Sequence, residues 1–269
     1  MSVYSSAKSV CSRCLGFSSH SHIVMQCHPI RASSCCTRLS RRCFDQAFLA
    51  AGYSQVPVHI IGSDPGVTAA FNGATHMPFE DGALYMTVPG AVVIDSCDYV
   101  QTKSLTKKLA EYPKLSYMRL IRKNFKTIYA DGSEFEIGKG VTLKDGKDVT
   151  VIASGIMLDE ALRAEEILSA EGISARVIDM HTWKPIDEEL ICKAAEETGC
   201  IVTAENHQVG CGLGSAVANV LVANKPVPME RVGIQDRFGQ VGPQDFLMKE
   251  YNLMAEDIVE AVKKVISRK

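Results

Sequence analysis

The polar residues between positions 62 and 81 are the first candidates for chemistry. This stretch reads GSDPGVTAAFNGATHMPFED and follows the short apolar run 58–61, which predicts a buried strand. Asp64, Asn72 and His76 offer a carboxylate, an amide and an imidazole. In an α/β sheet, a loop that leaves the carboxyl end of a strand is a common place for ligands. We therefore expect a ligand-binding loop here, although an ordinary surface loop can have the same composition.

A basic cluster lies at the end of the third predicted strand. Residues 115–121 are predicted to form a third strand, and Arg119, Arg122 and Lys123 lie at its end. Arg122 would stand at the carboxyl end of that strand, where its planar and permanently charged guanidinium suits a phosphate group. The competing interpretation is a solvated surface arginine. If the phosphate interpretation holds, the two stretches belong to one site for a phosphorylated ligand.

The elements around these residues predict a parallel sheet. Apolar residues at helical spacing mark a helix over 44–52, and residues 91–94 form another short apolar strand. Asp95, Ser96 and Asp98 offer capping oxygens in front of an amphipathic helix over 100–112. The resulting order is helix, strand, loop, strand, helix, strand. This order gathers the ligand loops at one edge of the sheet.

A second α/β unit follows a polar linker. Asp-Gly turns flank residues 134–143, whose alternation suggests a hairpin edge, and we place the linker over 130–147. Beyond it, strands alternate with helices, which predicts a second mostly parallel sheet. The predicted strands are 149–154, 175–180, 201–205 and 229–234. The predicted helices are 158–171, 187–198, 215–222 and 255–266.

Composition excludes several classes of partner. The chain has 269 residues, of which 46% are hydrophobic and 22% charged, and its net charge is -2. Such a charge gives no reason to expect nucleic acid as a partner. We also expect no membrane span, because no run of about 18 apolar residues occurs. The cysteines behind residue 44 are scattered singly, which is typical of a reducing cytoplasm.

Residues 1–42 differ from the rest. Residues 1–44 contain six Lys or Arg, no Asp or Glu, and six of the ten Cys. An acid-free, Ser- and Arg-rich start is typical of a transit peptide. A zinc site is a second interpretation, from Cys11, Cys14, His20, His22, Cys27 and His28. We favour a third, that this segment is not native to the domain behind it, and we expect residues 1–42 to be disordered.

Residues 44–269 resemble the transketolase family, in the variety that is split into two subunits. The resemblance rests on the 62–81 stretch, where Gly73-Ala74-Thr75-His76 matches the family's Gly-x-Thr-His. In the second half it rests on Arg237-Phe238-Gly239 and Gly242-Pro243. The resemblance implies an α/β fold with two mostly parallel-sheet domains. These are a partial pyrimidine-binding domain for thiamine diphosphate at 43–129 and a carboxyl-terminal domain at 148–269, with 1–42 unmatched.

The resemblance also implies roles for individual residues. His76 takes the place of a histidine that contacts the substrate, and Arg122 that of a basic residue that binds the sugar phosphate. Asn72 lies where the family usually has an Asp that reads a substrate hydroxyl; an amide can still donate and accept hydrogen bonds there. Asp64 falls where many members have a second substrate histidine. Glu205 and His207 are expected to be structural or interfacial.

The main departure of this sequence from the family concerns the residues for its cofactor. Transketolases use thiamine diphosphate, whose aminopyrimidine is protonated by a Glu upstream of the substrate loop. In this chain no Glu precedes Glu80, and no Gly-Asp-Gly is present for the diphosphate and Mg²⁺. We therefore assign no catalytic residue, and expect both cofactors to be held mainly by a partner.

The expected partners follow from this division. They are an amino-terminal, cofactor-binding subunit and sugar phosphates, in a homo- or hetero-oligomer, with little activity of this chain alone. Two alternatives remain open. One is a related thiamine enzyme, such as a deoxyxylulose phosphate synthase or a 2-oxo acid dehydrogenase β subunit. The other is a non-catalytic assembly domain.

Overall fold

A computed structural model describes residues 22–25, 31–123 and 125–269, with side chains from Ser40 onward. The chain builds two β-sheets, one of six strands and one of five. Each sheet is mostly parallel and carries helices on its faces, so the predicted fold class is confirmed.

The first sheet has the strand order β1-β2-β3-β5-β4-β9. Its strands are β1 His22–Met25, β2 Arg31–Cys36, β3 Val58–Ser63, β4 Val92–Asp95, β5 Ser116–Leu120 and β9 Thr182–Lys184. The four inner strands run parallel, and the two edge strands are antiparallel to their neighbours. The carboxyl ends of β3 and β5 therefore lie side by side, which places the loops after them at one edge.

Four helical segments accompany this sheet. They are α1 Thr37–Arg42, α2 Phe44–Ala47, which continues into the π-helical turn Phe48–Tyr53, α3 Asp81–Met86 and α4 Tyr99–Ala110. The predicted cap of α4 is present, because the Asp98 carboxylate accepts a hydrogen bond of 2.8 Å from the backbone N–H of Gln101. The short helix α3 follows the 62–81 stretch directly.

The second sheet has the order β11-β10-β7-β8-β6. Its strands are β6 Val141–Lys144, β7 Val149–Ala153, β8 Ala175–Asp179, β10 Ile201–Gln208 and β11 Met229–Ile234. Its helices are α5 Met157–Ala170, α6 Glu188–Thr198, α7 Leu213–Asn224, α8 Gln244–Glu250 and α9 Ala255–Ile266. The strands and helices predicted for this half are present, whereas no pattern predicted α8. Gly199 ends α6 in the left-handed conformation, with φ of 69°.

The expected disorder of residues 1–42 does not extend over 31–42. Arg31–Cys36 pairs in parallel with Val58–Ser63 over six positions, and Thr37–Arg42 is helical. The strand's sequence RASSCC has no apolar alternation, so no pattern predicted it; backbone hydrogen bonds to β3 decide its place. The zinc and transit-peptide interpretations of residues 1–42 concern side chains that lie outside the described residues.

The linker also differs from its prediction. In place of a hairpin, residues 141–144 form β6, which pairs antiparallel with β8 at the edge of the second sheet. Strand β9 then crosses back and pairs antiparallel with β4 of the first sheet. Because one strand of the second half completes the first sheet, the two halves are joined by backbone hydrogen bonds as well as by side chains.

A continuous apolar core fills the space between the halves. Tyr85, Val93 and Tyr117 of the first half share one cluster with Ile152 and Trp183 of the second. A second cluster brings Val67, Met77 and Phe79 of the 62–81 stretch against the second sheet. The candidate ligand loop is therefore packed on the carboxyl-terminal half. Within the described part of the chain, no helix has the length and apolar character needed to cross a membrane.

The contact between Gly82 and Trp183 gives a test of this packing. A Cβ added at Gly82 would lie 2.5 Å from the Trp183 ring, which is 1% exposed and cannot move aside. We expect Gly82→Ala to lower the free energy of unfolding by about 1–3 kcal/mol, which exceeds the gain of up to ~1 kcal/mol in helix propensity. Urea unfolding measures the difference.

Gly210→Ala is the matched control, because a Cβ there would meet nothing within 4 Å. Its effect should stay within about 0.5 kcal/mol. Equal stabilities of the two variants would show that the Trp183 contact is looser than described.

Candidate functional site

The loop after β3 has an unusual backbone. It contains two 3₁₀ turns, Gly66–Asn72 and Ala74–His76. Asp64, Gly66, Ala70 and Gly73 have φ angles of 58°, 55°, 46° and 78°. Such conformations are costly for residues other than glycine and persist only when the surroundings hold them. The loop is thus held in shape by its contacts, and a strained loop at the carboxyl edge of a sheet is a candidate functional site.

Asp64 and Arg122 meet at this edge. The Arg122 guanidinium contacts the Asp64 carboxylate through Nε and Nη2, and the Arg122 backbone N–H donates to Asp64 Oδ1 at 3.3 Å. The Asp64 side chain is 6% exposed, whereas that of Arg122 is 62% exposed. A buried carboxylate therefore orients an accessible guanidinium, which is a suitable arrangement for binding an anionic ligand.

His76 and Asn72 lie further along the same loop. The His76 ring is half-buried, and its Nδ1 lies 2.9 Å from the Thr75 hydroxyl. Asn72 is exposed just before Gly73. The described contacts join Asp64 to Arg122, but they link neither residue to His76 or Asn72. The structure thus brings two of the four predicted residues into contact and places the other two in the same loop.

Arg41 of α1 contacts the same loop, although no sequence pattern predicted this contact. Its Nη2 donates to the Thr75 carbonyl at 3.2 Å, and its Nε lies 3.1 Å from the Glu80 carboxylate. Glu80 also accepts a hydrogen bond of 2.8 Å from the Phe79 backbone N–H. Because Arg41 belongs to a segment without recognisable pattern, only its place after β2 reveals that it supports the loop.

The centre of the site region is a buried arginine. Arg119 on β5 is 1% exposed and forms ion pairs with Asp81 at 3.0 Å and Asp95 at 3.2 Å. Its Nη2 donates to the Asn206 carbonyl at 2.9 Å, and its guanidinium lies 5.2 Å from the centre of the Trp183 ring. One cation thus joins α3 and β4 of the first half to β9 and β10 of the second.

The electrostatics of this cluster follow from burial and the shared cation. Burial opposes ionisation of Asp81, but Arg119, His207 and the Tyr117 hydroxyl together lower its pKa below the ordinary value. Asp95 differs, because burial raises its pKa and Arg119 offsets this only in part. The pKa of Arg119 is raised, since its two carboxylate partners outweigh its burial. The cluster therefore holds a permanent positive charge beside at least one carboxylate.

Glu205 and His207 at the end of β10 make hydrogen bonds within the protein. The Glu205 carboxyl group accepts hydrogen bonds of 2.7 Å and 2.8 Å from the backbone N–H groups of Leu213 and Gly214 at the start of α7. Burial raises the pKa of Glu205 to about 8, against the effect of these two donors. The glycine-rich turn thus binds a carboxyl group of the protein itself at the helix N-terminus.

The buried His207 ring is neutral and fixed in one tautomer. Its Nδ1 lies 3.1 Å from the Gln208 carbonyl and donates to it, so Nε2 accepts from the Ala83 backbone N–H at 3.4 Å. Burial lowers the pKa of His207 to about 4, with Arg119 acting in the same direction. The ring therefore links β10 to α3 and is not available to a ligand.

Comparison with known proteins identifies the family. Residues 17–127 match the family model of the transketolase pyrimidine binding domain, and residues 138–258 match that of the transketolase C-terminal domain. The first match begins inside the segment that the sequence analysis left unmatched, in agreement with the place of β1 and β2 in the first sheet. The chain belongs to the transketolase family.

Its relatives include subunits of split enzymes. The 6-deoxy-6-sulfo-D-fructose transketolase subunit SqwH of Clostridium sp. (strain MSTE9) is 44% identical over 230 residues, which cover 86% of this chain and 71% of that protein. A subunit of the apulose-4-phosphate transketolase of Phocaeicola vulgatus is 39% identical, over 84% of this chain and 73% of that protein. Rat transketolase is 34% identical, but the match spans only 37% of its length.

A solved structure agrees with this placement. A split gene transketolase, described as an inactive beta4 tetramer, superposes with a TM-score of 0.83 and 40% identity. The match covers 88% of this chain and 76% of that one. Within the family, the chain thus corresponds to the carboxyl-terminal section of the split transketolases.

The Glu that is expected to act on thiamine diphosphate, the cofactor of this family, is not found among the described residues. No Glu precedes Glu80 in the sequence, and Glu80 itself is engaged by Arg41 and the Phe79 N–H. Across the described ranges, no three His, Cys, Asp or Glu side chains are grouped to hold a metal ion. The described part of the chain therefore supplies no Glu carboxyl at the position expected for contact with the aminopyrimidine.

Arg119 gives a direct test of how the two halves are held together. We expect Arg119→Leu to lower the free energy of unfolding by about 3–5 kcal/mol, because it leaves Asp81 and Asp95 buried without their cation. Urea unfolding at neutral pH measures the loss.

Lys263→Leu is the comparison variant. Lys263 pairs with Glu171 at 2.6 Å, but both side chains are more than two-fifths exposed. This change should cost less than about 1 kcal/mol. A small effect of Arg119→Leu would show that the ion cluster contributes little to the contact between the halves.

His207 predicts a pH dependence with a definite sign. Because its folded-state pKa is near 4, the unfolded chain binds a proton between pH ~6.5 and ~4 that the folded chain does not bind. The contribution of His207 to the free energy of unfolding is therefore present above pH ~6.5 and is lost as the pH falls, by up to about 3 kcal/mol near pH 4.

His207→Gln removes the titrating ring and keeps an oxygen that can accept the Ala83 N–H. Urea unfolding at several pH values between 4.5 and 7.5 should give a shallower loss of stability toward acid in the variant. Subtracting the variant's free energy of unfolding from that of the unsubstituted chain at each pH removes the contribution of groups that titrate equally in both proteins. Parallel curves of the two proteins would contradict the lowered pKa of His207.

Proposed function

We propose that this chain is the carboxyl-terminal subunit of a thiamine-diphosphate-dependent transketolase, which transfers a two-carbon ketol unit between sugar phosphates. The supporting observation is the Asp64–Arg122 pair at the carboxyl edge of β3 and β5, on a loop that also carries Asn72 and His76. The names of the relatives, which refer to sulfofructose and apulose 4-phosphate, support sugar substrates.

The residues of this chain would bind and orient the substrate. The exposed Arg122 guanidinium suits the phosphate of the substrate. The Asp64 carboxylate orients this guanidinium and partly neutralises its charge. The half-buried His76 ring can exchange a hydrogen bond with a substrate oxygen, and the Asn72 amide can bind a hydroxyl. Thiamine diphosphate supplies the carbon–carbon bond chemistry in this family, and we infer that an amino-terminal subunit holds it together with Mg²⁺.

The surface beside the loop supports association with other subunits. Phe71, Phe238 and Val241 are 72%, 94% and 64% exposed. Phe71 belongs to the loop, and a Cβ at Gly73 would lie 2.8 Å from Val241 Cγ2. Phe238 adjoins the loop through its neighbour Gly239, where a Cβ would lie 2.7 Å from Met77 Sδ. Exposed apolar groups gathered beside a candidate site are typical of a protein interface. A tetramer in the similar split transketolase also supports an oligomer.

The thiols of the described residues support a reducing compartment. Cys43, Cys97, Cys192, Cys200 and Cys211 are free. We therefore infer a cytoplasmic subunit.

The relatives named above are transketolases, which favours ketol transfer over the reactions of the related thiamine enzymes.

One observation favours a second function, that of a non-catalytic assembly subunit. The tetramer of the similar split transketolase is described as inactive.

Reconstitution separates these functions. We expect the chain with thiamine diphosphate, Mg²⁺, a ketose phosphate and an aldose phosphate to show no turnover alone, and to support turnover when the amino-terminal subunit of the same enzyme is added. Arg122→Met should then raise KM for the aldose phosphate about 10- to 100-fold, since it removes a charge-assisted contact with the phosphate.

Arg163→Met is the matched control, because Arg163 is an exposed arginine of α5 that pairs only with Glu160 in the described contacts. It should leave KM unchanged. Turnover by the chain alone, or an unchanged KM in Arg122→Met, would contradict the proposal. A complex that forms but shows no turnover would establish the assembly function instead.

A further inference from the structure

The end of β10 holds the candidate substrate loop from the carboxyl-terminal half. Asn206 is 2% exposed, and its side chain makes two hydrogen bonds of 3.0 Å to the loop backbone. Its Oδ1 accepts from the Val67 N–H, and its Nδ2 donates to the Pro65 carbonyl. The side-chain amide thus satisfies one donor and one acceptor of the loop, as a neighbouring strand would.

Gly66 lies between these two hydrogen bonds. It has a φ angle of 55°, and a Cβ at this position would lie 2.1 Å from Asn206 Oδ1. The loop therefore comes as close to the Asn206 amide as a backbone can, and only glycine permits that approach. The fit of Gly66 to Asn206 shows that the contact determines the path of the loop.

The far end of the loop is held by the same strand. The Gln208 N–H donates to the Phe79 carbonyl at 2.8 Å, and the Gly66 N–H donates to the Pro78 carbonyl at 3.1 Å. The two ends of the loop are thus tied to β10 and to each other. Asn72 and His76 lie between them.

Asn206 is itself fixed by the buried arginine. Its carbonyl accepts from Arg119 Nη2 at 2.9 Å. Arg119 lies on β5, three positions before Arg122, which contacts Asp64 at the start of the loop. Strand β5, which ends two residues before the candidate phosphate-binding arginine, therefore also holds the residue that shapes the loop.

We propose that Asn206 is a positioning residue for substrate binding. It holds the backbone at 65–67, and so sets the Asp64 carboxylate against Arg122 and directs the segment that carries Asn72 and His76. The carboxyl-terminal domain thereby acts on substrate binding without contacting the substrate. The effect on substrate rests on the proposed transketolase function, whereas the effect on the loop does not.

Hydrogen exchange of the purified chain tests the effect on the loop. We expect Asn206→Ala to speed amide exchange in peptides covering 66–79 at least about 10-fold, because the loop loses both hydrogen bonds from the Asn206 side chain, at Pro65 and at Val67. Exchange in β7 and β5 should not change. Asn206→Asp retains an oxygen for the Val67 N–H but loses the donor to Pro65, so it should give an intermediate rate.

Asn224→Ala is the matched control. Asn224 lies at the end of α7, and its side chain donates to the Val220 carbonyl at 3.0 Å, within its own helix. The loop should exchange in this variant as in the unsubstituted chain. Loop exchange in Asn206→Ala at the unsubstituted rate would overturn the proposal. Loss of the fold in both Asn206 variants, seen by circular dichroism, would also overturn it, since Asn206 would then be needed for folding as such.

A kinetic measurement in the complex with the amino-terminal subunit tests the effect on substrate. Asn206→Ala should raise KM for the aldose phosphate about 10-fold with a smaller change in kcat, and Asn206→Asp should restore part of the loss. An unsubstituted complex without turnover would refute the transketolase function but not the role of Asn206 in the loop. Turnover with an unchanged KM would refute the role of Asn206 in substrate binding.

Discussion

The buried ion cluster around Arg119 is the interaction on which the arrangement of the molecule depends. A guanidinium that is almost wholly removed from water loses its hydration, and only close partners can compensate for that loss. Asp81 and Asp95 provide charge, the Asn206 carbonyl provides an acceptor, and the Trp183 ring provides a π face. These partners come from both halves of the chain. The halves must therefore meet in one relative orientation for the cation to be satisfied.

This constraint explains why the candidate site belongs to neither half alone. The loop after β3 is part of the first sheet's edge, yet its backbone is tied to Asn206 and Gln208 of β10. Its apolar residues Val67, Met77 and Phe79 pack in the core of the second half. A loop with four left-handed residues would not keep its shape without such support. The carboxyl-terminal domain thus supports the shape of the candidate ligand loop.

The same arrangement is consistent with a subunit that completes its site through association. The chain presents an oriented arginine and a shaped loop, while its described residues offer no match for the reactive end of thiamine diphosphate. Exposed apolar side chains lie next to the loop, at Phe71, Phe238 and Val241. Binding energy and chemistry would then be divided between subunits, with this one contributing recognition of the substrate.

The sequence by itself determined the elements whose signals are local. Apolar periodicity predicted both α/β units, the capping oxygens of Asp95, Ser96 and Asp98 predicted the start of α4, and the polar stretch after β3 predicted the loop. It also singled out Arg122 and Asp64, but not that the two residues form a pair. These features depend on neighbours a few positions away in the chain.

Only the tertiary structure decided the contacts between residues distant in sequence. Strand β2 has no apolar pattern and is recognised by its pairing with β3, and β9 by its pairing across the two halves. Arg119 and Asn206 are 87 positions apart, and each has an ordinary sequence context. A buried charge and a side-chain amide acquire their roles from partners that the fold brings together. Local composition contains no information about such partners, because their energies arise from desolvation and geometry in the assembled core.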